Sequence, residues 1–144
     1  MDGATISAHT VNVIRPWLIV GNFDDARDRT LLVAIGVGAL LALIEPIDHD
    51  GIEMLYLPVE DDVPLRSTVL RRGVEFILRN KAEGRGVMAA CAAGTSRSVT
   101  FAVAALKEAE GLSLDEALSS VVERHSFAKP GERLWRSLRE YYDV

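Results

Sequence analysis

The sequence predicts a single α/β domain with a mostly parallel central sheet flanked by helices. Three observations carry this reading. The chain has 144 residues, 49% hydrophobic and 26% charged, the balance of a globular domain with room for one core. Two stretches, Val37 to Ile44 and Gly86 to Ala90, are nearly unbroken apolar runs, as in strands covered on both faces. Strand-like runs alternate with segments of helical period, an order that favours parallel pairing through crossovers.

Residues 1–10 are polar and expected to be a flexible N-terminus, with the domain filling 11–144. Val11 to Ile14 reads as a short edge strand stopped near Pro16, and Trp17 to Val20 as a second strand ending at Gly21 and Asn22. Asp24 and Asp25 suit a helix start. Ala26, Leu31, Leu32 and Ile35 share one face of that helix, and Gly36 suits its end. Met54 to Val59 is a further strand, and Leu65 to Lys81 an amphipathic helix with Leu70, Val74, Ile77 and Leu78 on its inner side. After Gly86 to Ala90, a helix from Arg97 to about Glu110 opens without charge, so its first turns are buried. Ser113-Leu114-Asp115-Glu116 is a capping box before the next helix. Pro130 starts a last helix that turns Leu134, Leu138 and Tyr141 inward.

Sixteen basic against twenty-one acidic residues leave a net charge of −5, which argues against nucleic acid or an anionic membrane as partner. No apolar run reaches membrane-spanning length and the start, Met1-Asp2-Gly3, is not that of a signal peptide. A single cysteine excludes an internal disulfide and fits a reducing cytoplasm. The three histidines, His9, His49 and His125, lack metal-ligand spacing, so neither a metal nor a cofactor is expected. Oligomeric state is not legible.

The chemistry concentrates in Cys91-Ala92-Ala93-Gly94-Thr95-Ser96-Arg97-Ser98, which joins a buried strand to a buried helix. Such a loop can turn backbone N–H groups inward as an anion nest, and the helix N-terminus adds its own amides and the positive end of its dipole. Gly94 admits a positive φ, and Ala92, Ala93, Thr95 and Ser96 are small enough for a phosphate to approach the backbone. Arg97 supplies a planar fork for two phosphate oxygens. A field of that sign favours the thiolate of Cys91, and a thiolate beside bound phosphate is a covalent phosphotransfer site.

The run C-A-A-G-T-S-R-S resembles the signature loop of cysteine-dependent protein phosphatases, and its Arg-Ser ending resembles the dual-specificity branch. The spacing Pro16-x-Leu18-x-x-Gly21-x-x-x-x-Ala26 and the stretch from Gly111 through Ser113 and Ala117 to Arg124 extend the likeness over nearly the whole chain. One departure stands out: Ala90 precedes the cysteine where the family usually has histidine. The resemblance implies a dual-specificity-phosphatase-like fold and hydrolysis of phosphomonoesters on phosphorylated proteins or peptides through a cysteinyl-phosphate. Cys91 is then the nucleophile, residues 92–97 hold the phosphate, and Ser98 donates to the departing thiolate. Leu57-Pro58-Val59-Glu60-Asp61 matches the family's strand ending and makes Asp61 the expected general acid, with Glu60 and Asp62 as neighbouring alternatives. Two other readings stay open at this point: a non-catalytic phosphopeptide-binding module, and a phosphatase of a small metabolite or an RNA 5′ end.

Overall fold

The computed structural model describes residues 11–144, and the expected flexible N-terminus lies outside them. One five-stranded sheet is built from β1 (Asn12–Arg15), β2 (Leu18–Asn22), β3 (Val37–Ala42), β4 (Glu53–Tyr56) and β5 (Gly86–Cys91), in the spatial order β1-β2-β5-β3-β4. Only β1 runs antiparallel, against β2, because Pro16-Trp17 is too short for a crossover. The other four strands are parallel and end along one edge of the sheet. That edge carries Asn22, Ala42, Tyr56 and, from the central strand, Cys91.

Side-chain alternation sorts the strands onto two cores. Leu18 and Val20 of β2, Ala39 and Leu41 of β3, and Val87, Ala89 and Cys91 of β5 face the larger one. Ile19, Leu40, Met88 and Ala90 face the smaller, with Ala26 and Leu32. The large core is covered by α3 (Ser67–Ala82), α4 (Arg97–Glu110), α5 (Leu114–Arg124) and α6 (Glu132–Tyr142), the small one by α1 (Phe23–Arg27) and α2 (Arg29–Ala34). Every residue of α4 from Ser98 to Leu106 is buried, so this helix is the inner one of its layer.

Several boundaries depart from the sequence expectation, each for a local reason. The helix expected through Ala26 and Ile35 is two short ones. Asn22, not Asp24 or Asp25, caps α1, accepting from the Asp25 amide at 2.8 Å while Asp25 accepts from the Asn22 amide at 3.0 Å. Asp28 then turns extended and caps α2 by accepting from the Leu31 amide at 3.0 Å. The β4 ladder stops at Tyr56, since Pro58 has no N–H to give; the Leu57 and Val59 amides still donate to Ala42 and Leu43, at 2.9 and 3.0 Å. The long amphipathic helix begins at Ser67 rather than Leu65, whose amide donates to Ser137 Oγ at 2.9 Å. The last helix begins at Glu132 behind Gly131, rather than at Pro130. The capping box at Ser113 and Glu116 forms as expected.

A polar cluster fastens α3, α4 and α6 together. Arg71 forks onto Glu108, its Nη1 and Nη2 donating to the two carboxylate oxygens at 2.9 and 2.8 Å. The Tyr142 hydroxyl donates to the same carboxylate, and Arg71 Nη1 also reaches the Tyr141 hydroxyl at 3.2 Å. Burial pushes the Glu108 carboxyl up, but the hydrogen bonds from Arg71 and Tyr142 outweigh it and hold the group below its usual 4.5. Burial, reinforced by the bond to Glu108, raises the Tyr142 phenol above its usual 10. A lowered carboxyl contributes stability that is complete above its unfolded value and is lost as pH falls through the folded one. A raised phenol contributes stability that is complete below its unfolded value and is lost as pH rises through the folded one. Glu108→Gln is therefore expected to cost about 1–2 kcal/mol at pH 7, a fall in Tm of about 3–6 °C. In thermal melts the gap between wild type and variant should close as pH drops below 4.5. A gap that stays constant from pH 7 to 3 would show that the carboxylate charge contributes nothing.

Candidate active site

Cys91 ends β5 on the central strand, 2% exposed, with its sulfur under the first turn of α4. The Ser98 amide donates to Sγ at 3.4 Å, and the Ser98 hydroxyl lies 3.2 Å from it. The sulfur thus takes an amide of the first helical turn, where a capping side chain would ordinarily act, and lies in the positive field of the helix end.

The loop between strand and helix is held from outside by its carbonyls. Ala92 O accepts from the Phe23 amide at 3.4 Å and Thr95 O from the Lys129 amide at 2.8 Å, while Ser96 O takes the first bond inside α4, from the Thr100 amide at 3.0 Å. Gly94 O accepts from Nε2 of the buried His125 at 2.7 Å. In a planar trans peptide the C=O of one residue and the N–H of the next point opposite ways. The amides of Ala93, Thr95, Ser96 and Arg97 therefore face away from those donors. Gly94 sits at φ +75°, where a Cβ would lie 2.9 Å from the Gly21 carbonyl oxygen, so the loop packs against the end of β2 with no room for a side chain. Ala92 and Ala93 are exposed at the rim.

Arg97, the first residue of α4, sends Nη1 to the Val59 carbonyl at 3.0 Å. Its Nε is buried without a hydrogen-bond partner among the described residues. The acidic run that follows Val59 divides in two. Asp61 Oδ1 accepts from Ser96 Oγ at 2.9 Å and so reaches the loop. Asp62, held at φ +51°, accepts the Arg133 amide at 2.7 Å and caps α6, whose own N-cap, Gly131, has no side chain. Glu60 is exposed. Ala90, in the small core, forms no side-chain hydrogen bond. Its register partners are Gly21 and Ala42.

The structure thus brings together Cys91, the whole loop from Ala92 to Arg97, Ser98 and Asp61. It adds His125, Lys129 and Gly131 from the connection between α5 and α6, none of which sequence reasoning found. His125 had only the weak signal of a lone histidine at a helix end, and the other two act through backbone amides that no side-chain motif reports. Among the described residues, no group of three or more His, Cys, Asp and Glu is placed to hold a metal ion, and no helix is long and apolar enough to cross a membrane.

Known proteins resemble this chain in sequence and in fold. A family model described as "Dual specificity phosphatase, catalytic domain" matches residues 18–144. The chain is 32% identical over 134 residues to dual specificity protein phosphatase 22-B of Danio rerio, covering 91% of this chain and 73% of that protein. It is 30% identical to dual specificity protein phosphatase 22 of Homo sapiens over the same length and the same shares. Among solved structures, a mouse putative dual specificity phosphatase complexed with zinc tungstate superposes with a TM-score of 0.84 at 26% identity, covering 92% of this chain and 86% of that one. With the family match running through the sheet, the loop and the helices around it, the chain belongs to the dual specificity phosphatase catalytic-domain family.

Proposed function

We propose that this protein phosphatase domain works through a cysteinyl-phosphate on Cys91, with Asp61 as the general acid, and acts on phosphotyrosine and on phosphoserine or phosphothreonine in proteins. The observation that carries the reading is the Cys91 sulfur at the N-terminus of α4, accepting from the Ser98 amide at the foot of a loop whose Ala92, Gly94 and Thr95 carbonyls are taken from outside. The amides left on the other side, with the Arg97 guanidinium, suit three phosphate oxygens. The buried and unpartnered Arg97 Nε fits that assignment, since a donor left unsatisfied costs about 1–3 kcal/mol until an acceptor arrives. Tungstate, bound by the mouse relative, is a tetrahedral oxyanion of the same kind as phosphate.

In the first step the Cys91 thiolate attacks phosphorus, the bond to the ester oxygen breaks, and Asp61 gives that oxygen its proton. In the second, water attacks the phosphocysteine, Asp61 takes a proton from it, and the sulfur leaves as thiolate towards the Ser98 hydroxyl. Asp61 is favoured over Asp62 because Asp62 is committed to the α6 cap, whereas Asp61 is tied to the loop. A free catalytic thiol suits a reducing compartment such as the cytoplasm, and the net charge of −5 suits a protein partner better than nucleic acid.

Four substitutions test this reading. Cys91→Ser should lower turnover at least about 1,000-fold while still binding tungstate, and Arg97→Lys should lower kcat/KM by about 100-fold or more. Near-normal turnover in Cys91→Ser would exclude the covalent route. Gly94→Ala should weaken tungstate binding by about tenfold or more in titration calorimetry, because a side chain at that positive φ meets the Gly21 backbone. Asp61→Asn should lower kcat for an alkyl phosphate by about 100-fold or more, and far less for an activated aryl phosphate whose leaving group hardly needs a proton. If Asp62→Asn gives that pattern instead, the acid is the next residue along.

A further inference from the structure

The outward carbonyls of the loop differ in what holds them. Those of Ala92 and Thr95 are held by backbone amides, of Phe23 and Lys129, which a change of side chain leaves in place. That of Gly94 is held by a side chain: among the described residues its hydrogen-bond donor is Nε2 of His125, at 2.7 Å. Nε2 therefore carries a ring proton, since a carbonyl only accepts. The ring is 6% exposed, and the backbone beneath it is fixed on both sides. The His125 amide donates to the Val122 carbonyl at 3.2 Å, and the His125 carbonyl accepts from the Ala128 amide at 3.0 Å. The imidazole is thus a fixed post, and the Gly94 carbonyl is what it fixes.

The peptide held in this way is the one that the loop's own sequence leaves freest. Gly94 sits at φ +75°, and a residue without Cβ gives little steric resistance to rotation of the peptide plane that follows it. With the Gly94 carbonyl turned to His125, the Thr95 N–H points the opposite way, into the loop. Rotation of that plane would withdraw the N–H and put a carbonyl oxygen, which repels an anion, in its place. We infer that His125 is a positioning residue for the phosphoryl group, an inference that rests on reading the loop as the phosphate cradle. By pinning the Gly94 carbonyl outward, it keeps the Thr95 amide aimed at the phosphate oxygens before the substrate arrives. It acts on the group transferred and not on the leaving group, which sets its effect apart from that of Asp61.

The test is tungstate binding by titration calorimetry, in which the stoichiometry reports the folded fraction and Kd is independent of it. His125→Leu fills the site without a donor and should raise Kd about tenfold. His125→Gln, whose side-chain amide reaches about as far as Nε2, should return Kd to within about threefold of wild type. The ratio of kcat for an alkyl phosphate to kcat for an activated aryl phosphate should keep its wild-type value in both, because proton delivery is untouched. Where His125→Leu does not fold, His125→Asn takes its place: its shorter amide stops short of the carbonyl and should show the same loss. An unchanged Kd, an equal loss in His125→Gln, or a fall in the ratio would each overturn the positioning role. Arg97→Lys separates this inference from the reading beneath it. If Arg97→Lys leaves tungstate affinity unchanged, the loop is not the cradle and the role of His125 fails with it. A loss in Arg97→Lys beside an unchanged Kd in the His125 variants overturns the His125 inference alone.

Discussion

The Ser98 amide and the Cys91 sulfur, 3.4 Å apart, set the terms for the rest of the molecule. For them to meet, a strand must end and a helix must begin within a loop of five residues, with the helix axis aimed back at the strand end. That demands a helix buried on all sides, because only packing from the sheet and from α3, α5 and α6 holds it at such an angle. The uncharged face from Ser98 to Leu106 meets this demand. The small side chains of β5, Ala89 and Ala90, are fully or nearly buried on the strand's opposite faces beside it.

The connection between α5 and α6 acts as a bracket over this junction. His125 holds the Gly94 carbonyl, the Lys129 amide holds that of Thr95, and the Gly131 amide holds Ser96 Oγ. The Arg133 amide, one residue into α6, holds Asp62 and with it the acidic loop. The cysteine loop and the acidic loop are thereby referred to one piece of backbone rather than only to each other. Preorganisation of this kind lets polar groups act on developing charge without first having to reorient.

The bracket is only as firm as α6, and α6 is anchored at its far end by the cluster of Arg71, Glu108 and Tyr142. At its midpoint Ser137 accepts from the Leu65 amide, which ties α6 to the segment leading out of the acidic loop. Stability and site geometry therefore share a helix. A change far from Cys91, at the Glu108 carboxylate, would act on the same helix that carries Arg133 and has Gly131 as its N-cap.

The α/β class, the buried strand leading into Cys91, the loop of small residues and the uncharged helix after it were all legible in the sequence. Each is written in a local pattern: an apolar run, a glycine in place, a helical period, a capping box at Ser113. The break at Asp28 and the late start of α3 were not, because the groups that decide them compete with patterns that read equally well as continuous helix. Nor could local pattern separate Asp61 from Asp62, adjacent residues of one type. They diverge only because Ser96, 35 positions away, takes one, and the Arg133 amide, 71 positions away, takes the other. His125 meets Gly94 across 31 positions on the same terms. The sequence by itself singled out the loop from Cys91 to Ser98, since residue type and short spacing are local properties. The tertiary structure alone decided which acid reaches the loop and which backbone groups hold it, since those depend on distant segments brought within hydrogen-bond range by the packing of the sheet and its helices.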